Sequence, residues 1–262
     1  MSTVDGLRLA FGTLTALPVR PPVRVDSAVA RTAMLAAPLP GLLLGALSGA
    51  VLVAGMSLRA PVLATAAVAI GLVALATRGL HLDGLADTAD GLAASYDRER
   101  ALGVMRTGDV GPAGAVTLLL VMLVQVASLT ALATPSGEGS AWGAGALVAI
   151  GVVSGRSVLP LLCARPWKAA RSEGLGAAVV GAVPLPAALG LAAITLGALA
   201  GVSVVTARGV VHVVVGVVIG WVAALAVAAH ASRRLGGVTG DVLGAAVEIS
   251  TAATLLVLAT PA

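Results

Sequence analysis

The sequence predicts an all-α fold: a polytopic transmembrane helical bundle of about seven spans, one integral-membrane domain over residues 1–262, with a cytoplasmic N-terminus. Three observations carry that prediction. Hydrophobic residues are 58% of the chain and charged residues 11%, under half the roughly 25% of soluble domains, so there is too little polar surface to cover a water-soluble globule. The apolar runs are long and uninterrupted, unlike the short alternating segments of a transmembrane barrel. Aromatics are only 2%, and the apolar mass is Ala, Val, Leu and Gly, whose small side chains favour close helix packing. A single cysteine, Cys163, excludes a disulfide framework.

Taken in order, residues 7–17 are apolar enough for a short interfacial helix, stopped by Pro18, Pro21 and Pro22. Asp5 and Arg8 do not make the basic-then-apolar start of a signal peptide, so the first span is expected to be retained. Spans are predicted at 34–56, 60–77, 111–133, 142–164, 185–206, 209–232 and 242–260. The second is short, and the seventh carries Glu248. Gly41, Gly45 and Gly49, and again Gly216 and Gly220, have close-packing spacing, read as contacts within the chain before a dimer signature; an oligomer stays open. Trp142 and Trp167 fit membrane-interface belts.

The pI of about 10.5 suggests nucleic acid until the sixteen basic residues are placed. Arg8, Arg20, Arg24 and Arg31 precede the first span, and Arg78, Arg98, Arg100 and Arg106 follow the second. Arg165, Lys168 and Arg171 follow the fourth, and Arg233 and Arg234 the sixth. With seven spans these all fall on one side, Arg59 and Arg208 fall opposite, and Arg156 lies within a span. The positive-inside rule makes the crowded side cytoplasmic, so topology explains the basicity and no nucleic-acid partner is implied. Glu138 is the one acid assigned to the outside, which concentrates function on the cytoplasmic face.

The most informative segment is Thr77-Arg78-Gly79-Leu80-His81-Leu82-Asp83-Gly84-Leu85-Ala86-Asp87-Thr88-Ala89-Asp90-Gly91. At about 100° per residue, Asp83, Asp87 and Asp90 share one helix face. Their mutual repulsion calls for a cation, and oxygen-only ligands suit Mg²⁺, with Mn²⁺ as the alternative. The competing reading is a solvated acidic face. A second acid follows the glycine-rich Gly236-Gly237-Val238-Thr239-Gly240 run: Asp241 either caps the last span or joins the ligands. Glu248, two turns in, is costly there unless paired or functional, and Arg156 needs such a partner. Arg106, Arg171 and their basic neighbours are candidates for phosphate, Arg106 foremost because glycines follow it.

At its acidic segment the chain resembles the adenosylcobinamide-GDP ribazoletransferase family, also called cobalamin 5′-phosphate synthases. The likeness extends to Phe11-Gly12-Thr13 through Pro18, Pro38-Leu39-Pro40-Gly41 through Gly45, Met105-Arg106, Glu173-Gly174-Leu175-Gly176, and Gly236-Gly237 through Gly244-Ala245. It departs at Gly103, where the family commonly has an acid, and near Thr107 and Asp109, where it has Asp then Arg. The resemblance implies a transferase that joins GDP-activated adenosylcobinamide to α-ribazole or α-ribazole 5′-phosphate and releases GMP. That chemistry fits the residues singled out above: Mg²⁺ on Asp83, Asp87, Asp90 and Asp241, a carboxylate or His81 acting on the ribazole 5′-hydroxyl, and Arg106, Arg156, Arg171, Thr239, Asp241 and Glu248 as candidate substrate contacts. The expected location is the inner (plasma) membrane, within the lipid bilayer. Two other readings remain: a CDP-alcohol-type phosphotransferase, whose D-G-x-x-A-R continuation is missing after Asp83-Gly84, and a cation-coupled transporter, which would place acids near mid-membrane.

Overall fold

A computed structural model of the chain describes residues 2–134, 140–206 and 208–261; Glu138 lies outside the described residues. The described chain is helical, with two isolated bridges, Ala164 to Val183 and Ala169 to Val238, in place of any sheet. Helix α1 (Ser2–Leu14) lies against α2 (Ser27–Leu35), where Gly6 leaves room for Thr32. Asp26 caps α2, its Oδ1 accepting from the N–H groups of Ala28 and Val29. A short break leads into α3 (Pro38–Ser57), whose prolines fall in the first turn, where no intrahelical N–H is lost. The first span is therefore 27–57 and starts earlier than predicted.

Helix α4 (Val62–Ala76) has 15 residues, about 22 Å at 1.5 Å per residue, against a hydrocarbon core of about 30 Å. It turns through 89° at Arg78 (φ 55°) and Gly79 (φ 70°) into α5 (Leu80–Ala94). Six described helical segments are long and apolar enough to span alone, and the bent α4–α5 pair makes up to seven. Next come α6 (Arg98–Val104) and α7 (Pro112–Ala133). Helices α8 (Ala141–Ser157) and α9 (Leu159–Leu162) together make the fourth span, and α10 (Leu175–Val179) is a single turn. Helices α11 (Leu185–Val202), α12 (Val210–Leu235) and α13 (Gly240–Ala259) complete the bundle.

Spans α8–α9 and α13 are 83% and 72% buried, so they form the centre; α7 and α11, each 22% buried, face outward. Both predicted glycine series pack within the chain. Gly45 of α3 leaves only 2.9 Å from its missing Cβ to the Ala149 carbonyl of α8, and Gly220 of α12 leaves 2.7 Å to that of Ser250 in α13. A polar seam runs between them: Ser154 Oγ lies 3.0 Å from Thr254 Oγ1, and Trp221 Nε1–H donates to the Ser154 carbonyl at 3.0 Å.

Four arginines tie one end of the bundle together, each donating to carbonyls at or near a helix C-terminus. Arg78 reaches Gly12 of α1, Arg98 reaches Leu235 of α12, Arg171 reaches Leu102 of α6, and Arg234 reaches Leu92 and Ser95 beside α5. Those carbonyls have no intrahelical partner, and a cation also meets the negative end of the helix dipole. The cytoplasm-assigned loops thus converge at one end, while Gly143 packs near Val205 and Thr206 at the other.

Candidate active site

Helix α5 lies across the arginine-tied end. Gly84 makes this possible: a Cβ there would stand 2.7 Å from the Asp241 carbonyl of α13, and one on Gly244 would stand 3.2 Å from the His81 backbone. This near-contact brings the acidic segment to the Gly-rich approach of α13, residues far apart in sequence.

The three aspartates of α5 share a face, as their spacing predicts, but their surroundings differ. Asp83 is exposed, whereas Asp87 and Asp90 are buried. Both Asp90 oxygens are occupied, accepting from Gly111 N–H at 2.7 Å and Gly114 N–H at 2.8 Å, so Asp90 caps α7 from outside its chain segment. The carboxyl of Asp87 is pushed up to about 6, chiefly by burial and then by Asp83, Asp241 and Asp90; Arg171 pulls the other way.

The capping role considered for Asp241 is taken by its neighbour. Thr239 is the N-cap of α13, its Oγ1 accepting from Val242 N–H at 3.2 Å. Asp241 sits in the first turn with Oδ2 3.5 Å from Arg171 Nη1, buried and without a hydrogen bond. Arg171 Nε is likewise buried without a partner.

A cavity of about 180 Å³ opens here, walled by His81, Asp83, Arg171, Thr239 and Asp241 together with Glu173, Gly174 and Gly176. Gly176 packs against Thr239 and Gly240, where a Cβ would fall 2.6 Å from the Gly240 nitrogen. Glu173 is a lining residue that charge pattern alone did not single out; its signal was the Glu-Gly-Leu-Gly run. A second, open groove of about 540 Å³ is lined by Arg78, Leu82, Ala86, Val110 and Leu118, and Leu80 and Asp83 wall both spaces.

Five predicted residues do not line the cavity: Asp87 and Asp90, described above, and Arg106, Arg156 and Glu248. Arg106 is exposed beyond α6 and lines neither space. Arg156 is fully buried; its hydrogen-bonding neighbour is His81 Nδ1, 3.5 Å from Nη2, and the suggested Glu248 lies within its electrostatic reach without an ion pair within 4 Å. Glu248 instead accepts from Gln125 Nε2 at 2.8 Å; the helix register that brings α7 and α13 together made that partner unreadable from one segment. Arg156 Nε and Nη1 have no partner.

Among the described residues no three His, Cys, Asp or Glu side chains are gathered closely enough to hold a metal by themselves. The carboxylates nonetheless suit a divalent ion that brings its own phosphate oxygens. Asp87 and Asp241 are oxygen donors in one another's field, and an Asp241 oxygen is orphaned. Mg²⁺ is commonly bound through one or two carboxylates plus substrate phosphates.

The family model described as cobalamin-5-phosphate synthase matches residues 6–259. A Nocardioides protein named adenosylcobinamide-GDP ribazoletransferase is 47% identical over 252 residues, 96% of this chain and 97% of its own. Proteins of the same name from Frankia casuarinae and Citrobacter koseri are 39% and 36% identical, covering 96% and 98% of this chain and 93% and 100% of theirs. No solved structure matches.

Proposed function

This chain belongs to the cobalamin-5-phosphate synthase family, and we infer from that membership that it is an adenosylcobinamide-GDP ribazoletransferase acting in cobalamin synthesis. The observation that carries the site is the meeting of α5 with the start of α13, which puts Asp83, Asp87, Asp241 and Arg171 together beside a cavity.

In the reaction a hydroxyl of the ribazole attacks the phosphorus bonded to the cobinamide moiety. The bond from that phosphorus to the bridging oxygen breaks, and GMP leaves with the oxygen. A cobalamin 5-phosphate product keeps its 5-phosphate, so the attacking group is another ribose hydroxyl and not the 5′-hydroxyl expected from sequence. Asp87 and Asp241 would hold Mg²⁺, or Mn²⁺ on the same oxygens, and the ion supplies charge stabilisation to the pyrophosphate. Arg171 stands ready to donate its orphaned Nε–H to a phosphate oxygen. Asp83 walls both spaces, which suits it to orient the attacking hydroxyl and take its proton. Asp90 keeps α7 in place and Thr239 keeps α13 in place, so both are positioning residues. The one-sided basic residues support a site facing the cytoplasm from the inner membrane.

Purified protein in liposomes, given adenosylcobinamide-GDP, α-ribazole and Mg²⁺, is expected to release GMP, and a chelator to stop it. Asp83→Asn is expected to lose at least about 100-fold in kcat while keeping its Mg²⁺-dependent thermal shift. Asp87→Asn and Asp241→Asn are expected to lose the shift as well. An Asp83→Asn variant of full activity removes that residue from catalysis.

A further inference from the structure

The two spaces that share Asp83 differ in a way that divides the two substrates. The smaller cavity has a buried apolar floor: Leu14, Met34, Leu159, Val179, Val238 and Leu243. Its accessible lining is mainly apolar, and Asp83, Arg171 and Glu173 supply the charged groups at its mouth. At about 180 Å³ it is smaller than the roughly 300–1,000 Å³ of pockets that take a whole drug-sized ligand, so it admits one end of a substrate. The groove on which Leu80 and Asp83 also border is three times larger and open.

Seven buried side-chain polar atoms among the described residues lack a hydrogen-bond partner, and three belong to residues lining the cavity: His81 Nε2, Arg171 Nε and Asp241 Oδ2, the last in an ion pair with Arg171 Nη1 at 3.5 Å. Buried polar atoms are rarely left so, and their gathering here points to a ligand. The state of His81 follows from its neighbour. An arginine only donates hydrogen bonds, so His81 Nδ1, 3.5 Å from Arg156 Nη2, is the accepting nitrogen and Nε2 carries the hydrogen.

Building on the reaction inferred above, we propose that the smaller cavity is the base pocket of the acceptor: it takes a flat, uncharged fused-ring base, leaving the ribose at the Asp83–Arg171 mouth and the bulky corrinoid donor to the open groove. A benzimidazole-type base matches the apolar floor with its faces and carries one unsubstituted ring nitrogen able to accept from the His81 imidazole. The donor's guanine matches that floor less well, because its amide edge would have to turn away from the apolar side chains to reach the carboxylates at the mouth.

Two measurements test this, both read as GMP release in liposomes. Free 5,6-dimethylbenzimidazole is expected to compete with α-ribazole and not with adenosylcobinamide-GDP in the wild-type protein. Val179→Phe, which fills the floor, is expected to raise KM for α-ribazole about tenfold or more, with KM for adenosylcobinamide-GDP within about twofold, and to abolish that competition. Competition against adenosylcobinamide-GDP, or a selective rise in its KM, overturns the assignment and gives the cavity to the donor. No inhibition by the free base at its solubility limit also overturns it, and this arm needs no variant to fold. Absence of GMP release from wild type is a separate result that removes the reaction itself.

Discussion

Asp87 carries the cost of the site's unbalanced charge. Its carboxyl titrates near 6 in the folded protein against 3.8 ordinarily, so between those values the folded state holds a proton that the unfolded chain has released. Stability is therefore greatest below this window and falls as pH rises from about 4 to about 6. Thermal unfolding in detergent without divalent ions is expected to show that slope, Asp87→Asn to flatten it and to raise Tm above pH 6, and millimolar Mg²⁺ to offset it in wild type. A lower Tm for Asp87→Asn at neutral pH would count against the repulsion. Glu248 is a contrasting acid, buried with a single side-chain partner. Gln125→Leu leaves that carboxylate without its donor and is expected to cost about 1–3 kcal/mol, read by denaturation in detergent. The common face of Asp83, Asp87 and Asp90 was legible because helix periodicity is local. That Asp90 turns its oxygens to α7 was not, because the receiving N–H groups lie 21 and 24 residues away.

Between elements, the closest approaches rest on glycine. Gly84→Val would push a side chain into the Asp241 backbone and force α5 from α13. Because displacing reacting groups by about 1 Å can cost 100-fold, that variant is expected to lose at least that much in kcat while remaining membrane-inserted. Gly103→Ala, with nothing within 4 Å of the added Cβ, is expected to keep activity and gain up to about 1 kcal/mol of helix stability. A fully active Gly84→Val would show that the crossing is not what assembles the site. The α4–α5 bend was only half visible in the sequence. The second span was legibly short, but an 89° turn through the left-handed conformations of Arg78 and Gly79 is set by what α5 packs on, namely α7 and α13. Arg78, Arg98, Arg171 and Arg234 show the same limit: sequence assigns them to one side, while folding gives each a helix-end carbonyl to hold.

At the scale of the whole molecule, orientation is the open property that a simple measurement reads. Cys163, the chain's single cysteine, is buried, so single cysteines introduced at exposed Glu99 and Leu58 report against a silent background. A membrane-impermeant maleimide added to intact cells is expected to label Leu58→Cys, and Glu99→Cys only after the membrane is opened. The reverse pattern would invert the bundle. Taken alone, the sequence identifies a helical membrane bundle, the acids that share one helix face and the family that the chain resembles. Those properties depend on composition, on 3.6-residue periodicity and on short motifs, all local along the chain. Packing is what places Asp241 near Asp83 and Asp87 while Thr239 does the capping, engages Asp90 and Glu248 with α7, and leaves Asp83 between two spaces of different size. Each of these depends on which helices cross and how closely, and side-chain contacts between distant segments exist only once the chain has packed.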